Sequence, residues 1–64
     1  MVTQMQKDGL LYVRNAAGNA TKASFLDDFD PVGGMLLSDI TRARLVELVD
    51  GRLVLTETGK EAIA

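Results

Sequence analysis

Apolar residues in this chain come in short runs separated by turn formers, and those runs set the expected elements. The first, Leu10-Leu11-Tyr12-Val13-Arg14, is rich in strand formers. It follows a polar stretch, Val2 to Asp8, that reads as a short helical turn or a frayed end. Asn15 to Asn19 supplies a turn, with Gly18 and Asn19 suited to positive φ. In the second run, Ala20 to Leu26, Lys22 and Ser24 alternate with Ala23 and Phe25. Two such runs around a Gly/Asn turn predict a first β-hairpin.

Asp27-Asp28-Phe29-Asp30 breaks the pattern. Asp30-Pro31 is suited to start a helix, because Asp caps free amides and Pro is preset for the first helical position. Gly33-Gly34 follow at once, each costing about 1 kcal/mol in a helix interior, so a loop is expected up to Met35-Leu36-Leu37. Asp39 then fits an N-cap for a helix to Leu45 or Val46 that hands over to a strand, although residues 39–49 also suit a strand throughout. Asp50-Gly51, between Leu48-Val49 and Arg52-Leu53-Val54-Leu55, is a two-residue hairpin signature. Thr56 can cap a last helix from Glu57 to Ala64, or Thr58 and Glu61 can form a capping box two residues later. The expected fold is a single α+β domain over residues 1–64: two antiparallel β-hairpins with a central helix and a C-terminal helix.

Length tightens this picture. A chain of 64 residues buries only about 60% of its unfolded surface, and such small folds usually lean on disulfides, a metal or a partner subunit. There is no cysteine, which removes the first support, and no histidine, which weakens the second. The core is nearly all aliphatic, since the aromatics are Tyr12, Phe25 and Phe29 alone. A homodimer sharing apolar surface is therefore expected. No cofactor is implied. Met1 to Gly9 holds no apolar run suited to export, and no stretch is long enough to span a bilayer, so no membrane partner is expected and a cytoplasmic location is. Asn19-Ala20-Thr21 matches a glycosylation acceptor, but without an export signal it reads as the polar part of a turn.

The net charge of −2 argues against strong non-specific nucleic-acid binding, which needs dense positive charge. What matters is the local field, however, and the charges are uneven. Asp27, Asp28 and Asp30 form an acidic cluster, while Arg42, Arg44 and Arg52 are interleaved with Asp39, Glu47 and Asp50.

Residues 45–63, Leu-Val-Glu-Leu-Val-Asp-Gly-Arg-Leu-Val-Leu-Thr-Glu-Thr-Gly-Lys-Glu-Ala-Ile, resemble the end of many bacterial winged-helix domains. In those, a strand, a turn (the wing), a second strand ending in Leu-Thr, two spacer residues, Gly and a closing helix follow the recognition helix. Val13-Arg14-Asn15-Ala16-Ala17-Gly18, Met35-Leu36-Leu37-Ser38-Asp39-Ile40-Thr41 and the final hairpin are also similar to the small YjhX-type toxin-like proteins, which look like compact winged-helix domains. The resemblance implies DNA binding, with Arg42 and Arg44 on the recognition helix as contacts and Arg52 beside the wing turn touching phosphate. A full winged helix has about two helices ahead of its recognition helix, whereas residues 1–38 do not read as helices.

Each candidate site has a plainer reading beside it. Arg42 and Arg44 would lie about 200° apart on a helix or share one face of a strand, and neither arrangement is a dense phosphate clamp. Their plainer role is solubility and ion pairing with Asp39, Glu47 or Asp50. The aspartate cluster lacks the ligand pattern of a calcium loop and reads as a solvated loop that caps the next helix. Gly33-Gly34 lacks the lysine and hydroxyl of a phosphate loop and reads as a hinge or tight bend. Tyr12 and Phe25, facing each other or diagonal across the first hairpin, suit a small core better than a base-stacking platform. Serines and threonines have no histidine or cysteine to activate them, so no enzyme is expected. Two functions remain: a small bacterial or phage DNA-binding regulator, or a protein-interaction or structural module.

Overall fold

The computed structural model describes residues 2–64. Its first element is a helix where a strand was expected. Helix α1, Gln4–Asn15, starts in a capping box: the Thr3 hydroxyl accepts from the Gln6 N–H at 3.1 Å, and the Gln6 side chain accepts from the Thr3 N–H at 2.9 Å. Gln4, Met5, Gln6 and Lys7 are all good helix formers, so a helix started at Thr3 runs on through the Leu10–Val13 cluster. That run buries Leu10 and Val13 on one side, the spacing of a helix face and not of a strand.

The second expected strand is also a helix, so the first hairpin does not exist. Asn15 to Asn19 does turn the chain, with positive φ at Ala17 and Gly18. Thr21 then opens α2, Lys22–Asp28, in a reciprocal cap with Ser24. The Ser24 hydroxyl also accepts from the Tyr12 hydroxyl at 3.0 Å, tying α1 to the start of α2. Tyr12 and Phe25 do meet, but from two helices, at 5.7 Å between centroids and edge to face. Phe29 stacks on Phe25 at 4.6 Å. Phe25 is completely buried, so these rings build core, as expected of them.

Helix α3, Gly33–Arg42, begins six residues before the expected cap at Asp39, which sits exposed within it. Val32 is the N-cap and makes no side-chain cap bond, so Asp30 does not serve as the cap. Gly33-Gly34 is neither hinge nor loop. A Cβ on Gly33 would come within 2.9 Å of the Leu26 Cα, so this glycine lets α3 cross α2 backbone to backbone.

The open choice over residues 39–49 is settled by a corner. The Arg44 N–H reaches the Thr41 carbonyl at 3.0 Å and the Leu45 N–H reaches the Ile40 carbonyl at 2.9 Å. This is the paired bonding of a Schellman cap, with Arg44 at φ +62° in the place glycine usually takes. Strands β1, Val46–Val49, and β2, Arg52–Leu55, follow as one antiparallel hairpin. Asp50 and Gly51 have φ of +53° and +78°, the two positive values of a type I′ turn. Thr21 forms an isolated bridge to Arg52 on the outer side of β2. Helix α4, Glu57–Ala62, is capped by Thr56 through the Gly59 N–H, and the Thr58 start is not used.

The protein is therefore an α+β domain of three helices, one two-stranded hairpin and a short C-terminal helix, an order compatible with a winged-helix-like fold. The core comprises Leu10, Val13, Ala20, Phe25, Leu36, Leu37, Ile40, Leu45, Val46 and Leu53, drawn from every element except α4. Among the described residues no helix is long and apolar enough to cross a membrane.

Candidate nucleic-acid interface

The three candidate arginines lie on the stretch of chain that runs from the end of α3 through the corner to the hairpin, with the Arg52 side chain on the sheet face opposite Leu53. Arg42 is the last residue of α3, Arg44 occupies the left-handed corner, and Arg52 opens β2 beside the turn. All are exposed. Because the helix ends at Arg42, neither arrangement considered for Arg42 and Arg44, opposite helix faces or one strand face, applies. Arg42 lies at the C-terminal end of α3, where a cation interacts favourably with the helix dipole.

The ion pairs expected of these arginines are not made. Among the described residues the one salt bridge joins Lys60 to Glu57, at 3.6 Å in α4. Arg42, Arg44 and Arg52 thus hold their charges free of Asp39, Glu47 and Asp50. Aspartates 27, 28 and 30 are also exposed, and among the described residues no group of three acidic, His or Cys side chains is placed to hold a metal ion.

The fold adds a fourth cation that sequence reasoning did not single out. A groove of about 530 Å³ runs between α2, α3 and the hairpin, and Lys22 and Arg42 both line it. Its apolar surface comes from Leu26, Leu37, Leu48 and Leu53, and Gly34, Ser38 and Thr41 keep the α3 wall low. The bridge between Thr21 and Arg52 brings the start of α2 beside the start of β2, so Lys22 follows directly on the residue paired with Arg52. No spacing in the sequence signals this, because residues 22 and 42 come together only through the helical packing of residues 1–38. Lys22 also stands in the first turn of α2, where no acidic residue accompanies it and a cation gains nothing from the helix dipole.

The hairpin is less suited to an anion. Its exposed positions include Glu47 and Asp50 beside Arg52, and Leu48 and Val49 are 57% and 45% exposed. The groove thus carries Lys22 and Arg42, α3 balances Arg42 with the exposed Asp39, and β1 is mixed and apolar. Comparison of the chain with protein-family models, with curated proteins and with solved structures finds no match in any of the three.

Proposed function

We propose that the protein is a small DNA-binding regulator of winged-helix type, which presents α3 and the hairpin to a duplex. The observation that carries this reading is a pair of cations free of ion pairs, Lys22 and Arg42, lining the groove between α2, α3 and the hairpin, with Arg44 and Arg52 exposed and also unpaired on the corner and the hairpin. Two helices precede α3, which supports the resemblance that the hairpin and closing helix first suggested. Arg42 and Lys22 would contact phosphates beside α3, Arg44 would reach out from the corner, and Arg52 would touch phosphate beside the turn. With three or four phosphates neutralised, binding weakens with salt at a log–log slope of about −3.

The test is fluorescence anisotropy of a labelled random duplex, titrated at low and at physiological salt. Binding that weakens with that slope supports the reading. No binding at low salt sinks it. A second reading, a protein-interaction module, is favoured by one observation: Leu48 and Val49 expose apolar surface on a strand that also carries Glu47. Such a module would show no DNA binding and would keep its partner at high salt.

A further inference from the structure

The hairpin register fixes where the backbone of β1 points. Val49↔Arg52 closes the two-residue turn, so it is the pair that exchanges hydrogen bonds, and successive pairs alternate. Leu48↔Leu53 is then a pair whose N–H and C=O groups point away from each other. The Leu53 N–H indeed bonds on the far side of β2, to the Ala20 carbonyl at 2.8 Å. By the same alternation Val46 and Leu48 turn their N–H and C=O groups away from β2, at Val46 inside the domain and at Leu48 along an open edge. Among the described residues no backbone bond outside the ladder reaches either of them.

The two edges of the hairpin are treated differently. The outer side of β2 is covered in part by Ala20 and Thr21. On the outer side of β1 Val46 is covered, but among the described residues Glu47, Leu48 and Val49 are exposed, and Val46-Glu47-Leu48-Val49 has none of the lysines, prolines or bulges that usually protect an open edge. The side chains add to this. Leu48 lies on the same face as Val46 and Leu53, which are 2% and 3% exposed, yet Leu48 itself is 57% exposed. The core face of the sheet continues past the last element that covers it.

We propose that β1 is a pairing edge and that its occupant is β1 of a second copy, antiparallel about a two-fold axis at Leu48. Outward groups pair only with outward groups, so an axis within the strand passes through a residue and not between two. An axis at Val46 centres the contact on a residue its own domain already buries. An axis at Glu47 sets two carboxylates directly opposite, which is destabilising. The axis at Leu48 sets Leu48 against its own counterpart and Glu47 against Val49 of the second copy, so no like charges oppose. It also extends the apolar face of Val46, Leu48 and Leu53 across the axis. The product is a four-stranded sheet made of two hairpins.

The inference is independent of the DNA reading, and its test uses no DNA. Sedimentation of the protein from about 10 µM to about 1 mM gives the mass, and amide exchange over the same range reads the edge directly. The expected result is a mass that doubles, with exchange at the Leu48 amide slowed at least about tenfold as the dimer forms, and a Leu48→Lys variant that stays folded and monomeric. A chain that is monomeric throughout overturns the proposal. So does a dimer whose Leu48 amide exchanges at the monomer rate, a reading that holds whether or not the Lys variant folds.

Discussion

Gly59 of α4 lies directly against the backbone of Leu45, so closely that a Cβ at position 59 would run into the Leu45 carbonyl oxygen. The same contact is bonded from the residue that caps the helix. The Thr56 N–H donates to the Leu45 carbonyl at 3.1 Å, and the Thr56 hydroxyl donates to the Arg44 carbonyl at 2.6 Å while accepting from the Gly59 N–H. Leu-Thr, two spacers and Gly is thus the footprint of a helix docked on a peptide bond. Gly59→Ala should cost about 3 kcal/mol, because backbone on both sides leaves nothing to repack. Urea denaturation measures it, and a loss below about 0.5 kcal/mol would show that α4 shifts freely.

Arg44→Gly should do the opposite. A non-glycine residue in the left-handed region costs about 1–2 kcal/mol, and glycine returns about half of that through the greater freedom of the unfolded chain. The expected gain is about 0.5–1 kcal/mol, seen as a higher urea midpoint at unchanged slope. If Arg44 also contacts DNA, the stabilised variant binds a duplex more weakly. A variant that is more stable and binds unchanged removes Arg44 from the interface.

Arg52→Ala leaves the fold within about 0.5 kcal/mol of the parent, because the ladder and the bridge to Thr21 use its backbone and its side chain is exposed. On DNA it should weaken binding equally across sequences and reduce the salt slope by about 1. Lys22→Ala should do the same. Unchanged anisotropy curves for both variants would remove the hairpin edge and the start of α2 from the DNA reading.

Phe25→Ala removes the largest fully buried side chain, the one that packs against both Tyr12 and Phe29. The expected loss is about 3–5 kcal/mol, a large share of what so small a domain has. Near-UV circular dichroism from Tyr12 should collapse with it. A retained signal would mean that Tyr12 and Phe29 close over the gap.

The local signals that survived are those that need no tertiary partner. Asp50-Gly51 makes its turn and Thr56 its cap because each acts within four residues. Residues 10–26 misled because their apolar runs carry strand formers while the deciding atoms lie at the ends. The Thr3 and Gln6 spacing is a capping-box signal that marks the first helix, and Thr21 with Ser24 makes a weaker one. Gly33 read as a break because what it accommodates, the backbone of Leu26, is invisible without the fold. Of the candidate site, the exposure of Arg42, Arg44 and Arg52 was legible from their charge alone, since an arginine is seldom buried without a partner. Lys22 beside Arg42 was not, since two helices have to pack before they share a groove.

The corner at Arg44 and Leu45 has one more consequence. Its two backbone bonds fix the exit angle of the chain from α3, and Thr56 and Gly59 fasten the same peptides from the other side. Helix and hairpin are thereby held at one set angle, like the fixed jaws of a gauge. A ligand that touches both must bring the matching spacing itself, so selectivity at this surface is a matter of the ligand's shape and stiffness before it is one of individual contacts.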